Sequence, residues 1–162
     1  MLASGVVLGV LAGLAVGRTW RPLAAVHVRW FPVLVAALAA RAIAPLITPL
    51  AFPLYVAALT GTAASAAANV RLRGAVLVAF GGALNLLVVL LNHGMPVDAA
   101  AIARAGATMP NDALHVPLTA STIVAFLADI VAVPIAHSVY SVGDFCIAVG
   151  GFLVPFVLLI RR

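Results

Sequence analysis

The stretch from Gly74 to Asn92 reads GAVLVAFGGALNLLVVLLN and carries no charged residue. Wound as an α-helix it is about 28 Å long, close to the thickness of a bilayer's hydrocarbon core. A helix closes its backbone hydrogen bonds on itself, which lipid demands of any chain that crosses it. The rest of the chain has the same character. Of 162 residues, 65% are hydrophobic and 8% charged, and the mean hydropathy is +1.25. A soluble domain of this size is mostly surface and needs far more charge to cover it. Disorder requires low hydrophobicity and is excluded on the same ground. A single cysteine, Cys146, leaves no internal disulfide. The composition predicts an all-α integral membrane helix bundle, one domain over residues 1–162, with the lipid bilayer as its first partner.

Outward from 74–92, four more apolar stretches approach bilayer length: 2–17, 30–47, 53–69 and 143–160. About five transmembrane helices are therefore expected, with an ordered outer segment over 93–142. No basic residue precedes the first stretch, whereas Arg18, Arg21 and Arg29 follow it. A cleavable signal peptide has the opposite order, so this span is read as retained. Arg71, Arg73, Arg161 and Arg162 fall on the same side as that first loop, and Trp20 and Trp30 flank the loop as interfacial anchors. All four aspartates (Asp98, Asp112, Asp129, Asp144) fall on the other side. The positive-inside rule then places the N-terminus outside and the C-terminus in the cytoplasm, in the inner membrane of a bacterium. The net charge of +5 is all arginine, set between apolar runs rather than along one stripe, so no nucleic-acid partner is expected.

Small residues at helical spacing (Ala57, Gly61, Ser65, Ala68) mark the third span as the expected central packing element, with Gly81, Gly82, Gly150 and Gly151 as further contact points. In the outer segment, Asp98 precedes 99–105 and Gly106 follows, the pattern of an N-cap, a short amphipathic helix and a stop. Residues 109–117 read as turns. The apolar run Ile123–Ile135, interrupted by Asp129 and closed by Pro134, is too short to span and is expected as a re-entrant or interfacial helix.

Arg41 lies inside the second span. A charge at that depth is costly, so it is expected either to reach toward the outer surface or to pair with Asp129. Ser141 and Asp144 have the spacing of a capping box at the start of the last span. The rival reading pairs Asp129 with Asp144 as two carboxylates sharing a proton to activate water, which would make both catalytic. Asn85, mid-span, is expected to hydrogen-bond across helices. His93, His115 and His137 match no metal-ligand spacing, and neither metal nor cofactor is expected.

Three stretches carry a resemblance. They are Leu84–Val97 with its Asn92-His93-Gly94-Met95-Pro96, then Phe126-Leu127-Ala128-Asp129-Ile130, then Val139-Tyr140-Ser141-Val142-Gly143-Asp144 with Ile147–Gly150. Together they resemble an uncharacterised family of small multi-pass bacterial membrane proteins of unknown function. Its members typically show Asn-Gly-Gly-Met-Pro, Phe-Leu-Gly-Asp and Phe-Ser-Ile-Gly-Asp; this chain departs at His93, Ala128 and Tyr140. The resemblance implies the architecture and adds Asn92, His93, Met95 and Ser141 to Arg41 and Asn85 as structural or ligand-contact candidates. More locally, Tyr140–Asp144 is similar to the Phe-Asn-x-Ala-Asp motif of lipoprotein signal peptidase, an aspartyl protease, and Asp129 stands where its other aspartate would fall. The Asn and Arg that accompany that other aspartate are absent between Thr122 and Ile130. The expected function is a non-enzymatic accessory or scaffold subunit beside another membrane protein. The alternatives are an aspartate-dyad membrane hydrolase and a binder of a small apolar ligand.

Overall fold

The computed structural model describes residues 1–17 and 19–160. Arg18, Arg161 and Arg162, which contribute to the charge asymmetry, lie outside them. The described residues are mostly helical, with seven α-helices among them: α1 (Leu2–Gly17), α2 (Arg21–Ala24), α3 (Phe31–Ile43), α4 (Ala51–Ala67), α5 (Ala75–Asn92), α6 (Ala99–Ala105) and α7 (Val142–Ile160). Three helical stretches are long and apolar enough to cross a membrane: Thr48–Ala67, where a 3₁₀ turn leads into α4, and then α5 and α7. Leu2–Gly17 and Phe31–Leu46 are apolar but shorter. Outward-facing side chains such as Leu11, Phe80 and Val149 are half or more exposed, an apolar exterior that suits lipid rather than water.

The long helices pack in the order α1–α7–α5–α4–α3. The middle of that row is α5, not the third apolar stretch expected to be central. On α4 the buried residues are Ala51, Tyr55, Ala58, Leu59 and Ser65; Gly61 meets Ala37 of α3, while Ala57 is exposed. Glycines set most of the close contacts. Gly81 of α5 lies against Gly143 and Cys146 of α7, Gly150 against Gly74 and Val78, Gly82 against Ala63 of α4, and Gly151 against Leu2 of α1. The residues of α1 buried in the bundle are Gly5, Gly9 and Gly13.

The outer segment corrects the all-α expectation. Strand β1 (Met95–Val97) pairs in parallel with β2 (His115–Pro117), and β3 (Val131–Val133) pairs antiparallel with β4 (Ser138–Tyr140). Ile123–Ile135 is not a re-entrant or interfacial helix. It holds a 3₁₀ turn at Ala125–Leu127, then β3, then a 3₁₀ turn entered at Pro134. Val124 and His137 sit at φ +51° and +45°, left-handed positions that break a helical path, and Pro134 cannot donate a helical hydrogen bond. The valines of β3 and β4 suit a pleated strand. The α6 cap is as read from the sequence: the Asp98 carboxylate accepts from the N–H groups of Ala100 and Ala101, and Gly106 closes the helix at φ +62°.

One long-range tie fixes the segment to the bundle, and another closes the segment on itself. The Asn92 side chain accepts from Ile123 N–H at 2.9 Å and donates to the Ile123 carbonyl at 3.0 Å. The Asp129 N–H donates to the Pro96 carbonyl at 2.9 Å, and Asp98 N–H donates to the Asp129 carbonyl at 3.0 Å. Asp129 is thus stitched beside β1.

A candidate ligand-binding site at the outer end of the bundle

Between the outer segment and the helices lies a cavity of about 360 Å³. Its polar lining comes from five places: Arg41 on α3, Tyr55 and Thr62 on α4, Asn85 on α5, His115 and Asp129 in the outer segment, and Tyr140 and Asp144 at the entry to α7. Met95 contributes apolar wall. Five of the residues singled out by sequence (Arg41, Asn85, Met95, Asp129, Asp144) therefore meet on one surface. Asn92 and His93 do not. Asn92 holds Ile123, and His93 ends α5 at φ +56° with its ring 5.9 Å from that of Phe52. That is a left-handed position, which glycine would adopt without strain.

The α7 end of the site is a closed hydrogen-bond network. Ser141 caps α7, its Oγ accepting from Asp144 N–H at 3.0 Å, while the Asp144 carboxylate accepts from Ser141 N–H at 3.2 Å. That is the capping box read from the spacing. Asn85 Nδ2 donates to Asp144 Oδ1 at 3.1 Å, so the mid-span amide ties α5 to α7. The Ser141 hydroxyl lies 2.9 Å from Asn85 Oδ1 and 3.1 Å from Asp144 Oδ2, either of which can take its single proton. Gly143 makes room for this arrangement, because a Cβ there would strike the Asn85 side chain.

Arg41 makes no ion pair within 4.0 Å among the described residues, so the expected pair with Asp129 is not formed. Its guanidinium lies instead over the Tyr55 ring, 4.9 Å from the centroid, a cation–π contact that holds the side chain at the cavity. Tyr55 and Thr62 are site residues that the sequence did not single out; the contact of Tyr55 with Arg41 runs across two helices and leaves no local signal. His115 Nδ1 lies 2.8 Å from Asp112 Oδ1. Partial burial pushes the Asp112 carboxyl up, but the hydrogen bonds from His115 and Leu114 outweigh it and hold the group below its ordinary range.

Asp129 is the anomaly. It is 7% exposed, and its Oδ1 has no hydrogen-bond partner. Burial, and then the charge of Asp144, push its carboxyl up to about 8, against the opposing pull of Arg41. At neutral pH it is a protonated acid on the cavity wall. The unfolded chain ionises this group near 3.8, whereas the folded chain keeps its proton to about 8. Between those values the folded state binds more protons, so stability falls as pH rises through that window and levels off above it. Asp129→Asn should flatten the slope, raising the unfolding midpoint at pH 9 relative to wild type and leaving it nearly unchanged at pH 4. Unfolding titrations of both proteins at the two pH values check this.

The model of a family of unknown function, DUF5317, matches residues 16–156. The chain belongs to that family. No curated protein and no solved structure matches it. The DUF5317 match spans α3 to α5, the whole outer segment and most of α7, and so includes every residue of the polar cavity named above. Among the described residues no three of His, Cys, Asp and Glu come together as a metal site.

Proposed function

We propose that this DUF5317 protein is a five-span protein of the bacterial inner membrane, N-terminus outside, that binds a small ligand in the cavity at its outer end. Support for five spans comes from α1 and the Phe31–Leu46 helix, both apolar and each about 24 Å long. The arginine asymmetry supports the orientation. The observation that carries the binding reading is Asp129. A buried carboxyl oxygen without a partner costs about 1–3 kcal/mol, and a ligand group placed against it relieves that cost. Arg41, held on Tyr55 without an acidic partner, is a second unsatisfied group on the same wall. An accessory or scaffold role beside another membrane protein needs neither feature, which is why ligand binding ranks above it.

The test is mass spectrometry of small molecules extracted from protein purified in mild detergent. A species present with wild type and depleted at least tenfold with both Asp129→Asn and Arg41→Gln is expected. Identical extracts from all three proteins would sink the reading.

A second reading is favoured by one observation: Asp129 and Asp144 line the same cavity. Two carboxyls on one cavity wall are the arrangement that aspartate-dyad hydrolases use. Asp144 already serves its own helix cap, which weighs against it as the base. This reading expects Asp129→Asn and Asp144→Asn each to abolish cleavage of a membrane substrate while leaving the fold intact.

A further inference from the structure

A second cavity, about 430 Å³ and almost wholly apolar, adjoins the first. The two share Leu2, Ala3, Leu38 and Thr62 as walls. From Thr62 it follows α4 to Asn69, about 10 Å toward the cytoplasmic end, enclosed by α1 on one side and α3 on the other. Polar groups cluster at the outer end of this combined space and apolar groups fill the inner end. Such a division fits one class of ligand, a molecule with a polar head and a hydrocarbon chain.

The head is specified by what the outer end leaves unsatisfied. Arg41 is exposed at the cavity, its guanidinium carbon 4.9 Å from the Tyr55 ring centroid. Among the described residues no group accepts from its side-chain N–H groups, and a guanidinium edge matches the paired oxygens of an oxyanion. Asp144 faces the same space, but Asn85 and Ser141 occupy both its oxygens. Asp129, carrying its proton at neutral pH, donates to an anion instead of repelling it. The hydroxyls of Tyr55, Thr62 and Tyr140 add donors. Resting on the ligand-binding reading above, we propose that the site takes a single-chain phosphate-headed amphiphile, its phosphate between Arg41 and Asp129 and its chain in the apolar cleft between α1 and α3.

The experiment uses lysophosphatidate as the probe, titrated onto the purified full-length protein in nanodiscs and read by native mass spectrometry. Monoacylglycerol of the same chain and inorganic phosphate are run beside it. Two variants separate head from chain: Arg41→Gln removes the oxyanion partner, and Ala66→Leu fills the cleft at a half-buried position away from the polar cavity. Expected is saturable one-to-one binding of lysophosphatidate, at least tenfold weaker with either variant. Monoacylglycerol is expected to bind at least tenfold more weakly, and inorganic phosphate only at millimolar levels. Equal retention of monoacylglycerol and lysophosphatidate would overturn the proposal, because lipid then coats the cleft without regard to its head. Phosphate binding as tight as lysophosphatidate, with Ala66→Leu silent and Arg41→Gln damaging, would overturn the chain assignment while leaving the cavity a ligand site. Indifference of every probe to Arg41→Gln and to Asp129→Asn would remove both readings together. Thermal unfolding of each variant in the same nanodiscs separates lost binding from lost fold.

Discussion

Gly143→Ala should cost this protein about 3 kcal/mol or more and dismantle the outer site at once. The added Cβ meets the Asn85 side chain and the Gly81 carbonyl, both on α5, so α7 must move away at its first turn. That movement breaks the Asn85–Asp144 bond and leaves Asn85, 3% exposed, with unpaired polar atoms. A buried amide stranded in this way accounts for most of the loss; overpacking supplies the rest. Val142→Ala, next to it but exposed, should be nearly neutral. Unfolding of the two variants in mild detergent against added denaturing detergent gives the comparison, and equal midpoints would remove the network from the account.

Gly9→Leu should free α1 from the bundle, with a similar loss of stability. Gly5, Gly9, Gly13 and Gly17 recur every four residues and form one face of α1. Opposite them run Ala148, Phe152, Pro155 and Leu159 of α7, so near that a Cβ at Gly9 would meet the Phe152 carbonyl and come within 2.9 Å of Pro155 Cγ. Spans have no hydrophobic drive toward each other in lipid, and close backbone approach is what holds them. Leucine forfeits that approach along the whole interface. Leu11→Ala on the lipid-facing side, where the residue is 60% exposed, should change little. The readout is disulfide trapping between α1 and α7, using cysteines placed at Val6 and Gly151, which lie against each other, in a Cys146→Ser background; trapping as efficient in Gly9→Leu as in its parent would contradict the role given to the glycine face.

Features encoded by neighbours in sequence were legible before the structure. The apolar stretches at 74–92 and 143–160 become α5 and α7 almost residue for residue, because length and hydropathy define a membrane helix. The Asp98 cap and the Ser141–Asp144 box were legible for the same reason, since both motifs complete themselves within four residues. The sheets were not. Val97 pairs with Asp129 across 32 positions, and nothing local in Ala128-Asp129-Ile130 announces that contact. An apolar run of that length reads as helix until Val124 and His137 are seen in left-handed conformations. The glycine spacing of α1 marks its packing face, whereas small residues on α4 do not all pack, since Ala57 is exposed. Site chemistry divides similarly: Asp129, Asp144 and Arg41 stood out as charges among apolar residues, whereas Tyr55 looked like any interfacial aromatic until Arg41 was seen lying on it.

The claim on which the site rests is that Asp129 carries a proton at neutral pH, buried with one oxygen unpaired. Infrared difference spectroscopy of the protein in nanodiscs tests it directly through the carbonyl stretch of a protonated carboxyl. The account predicts such a band at pH 7, absent from Asp129→Asn and lost from wild type with a midpoint near 8. A wild-type spectrum at pH 7 with no protonated-carboxyl band, and identical to that of Asp129→Asn in this region, would contradict it.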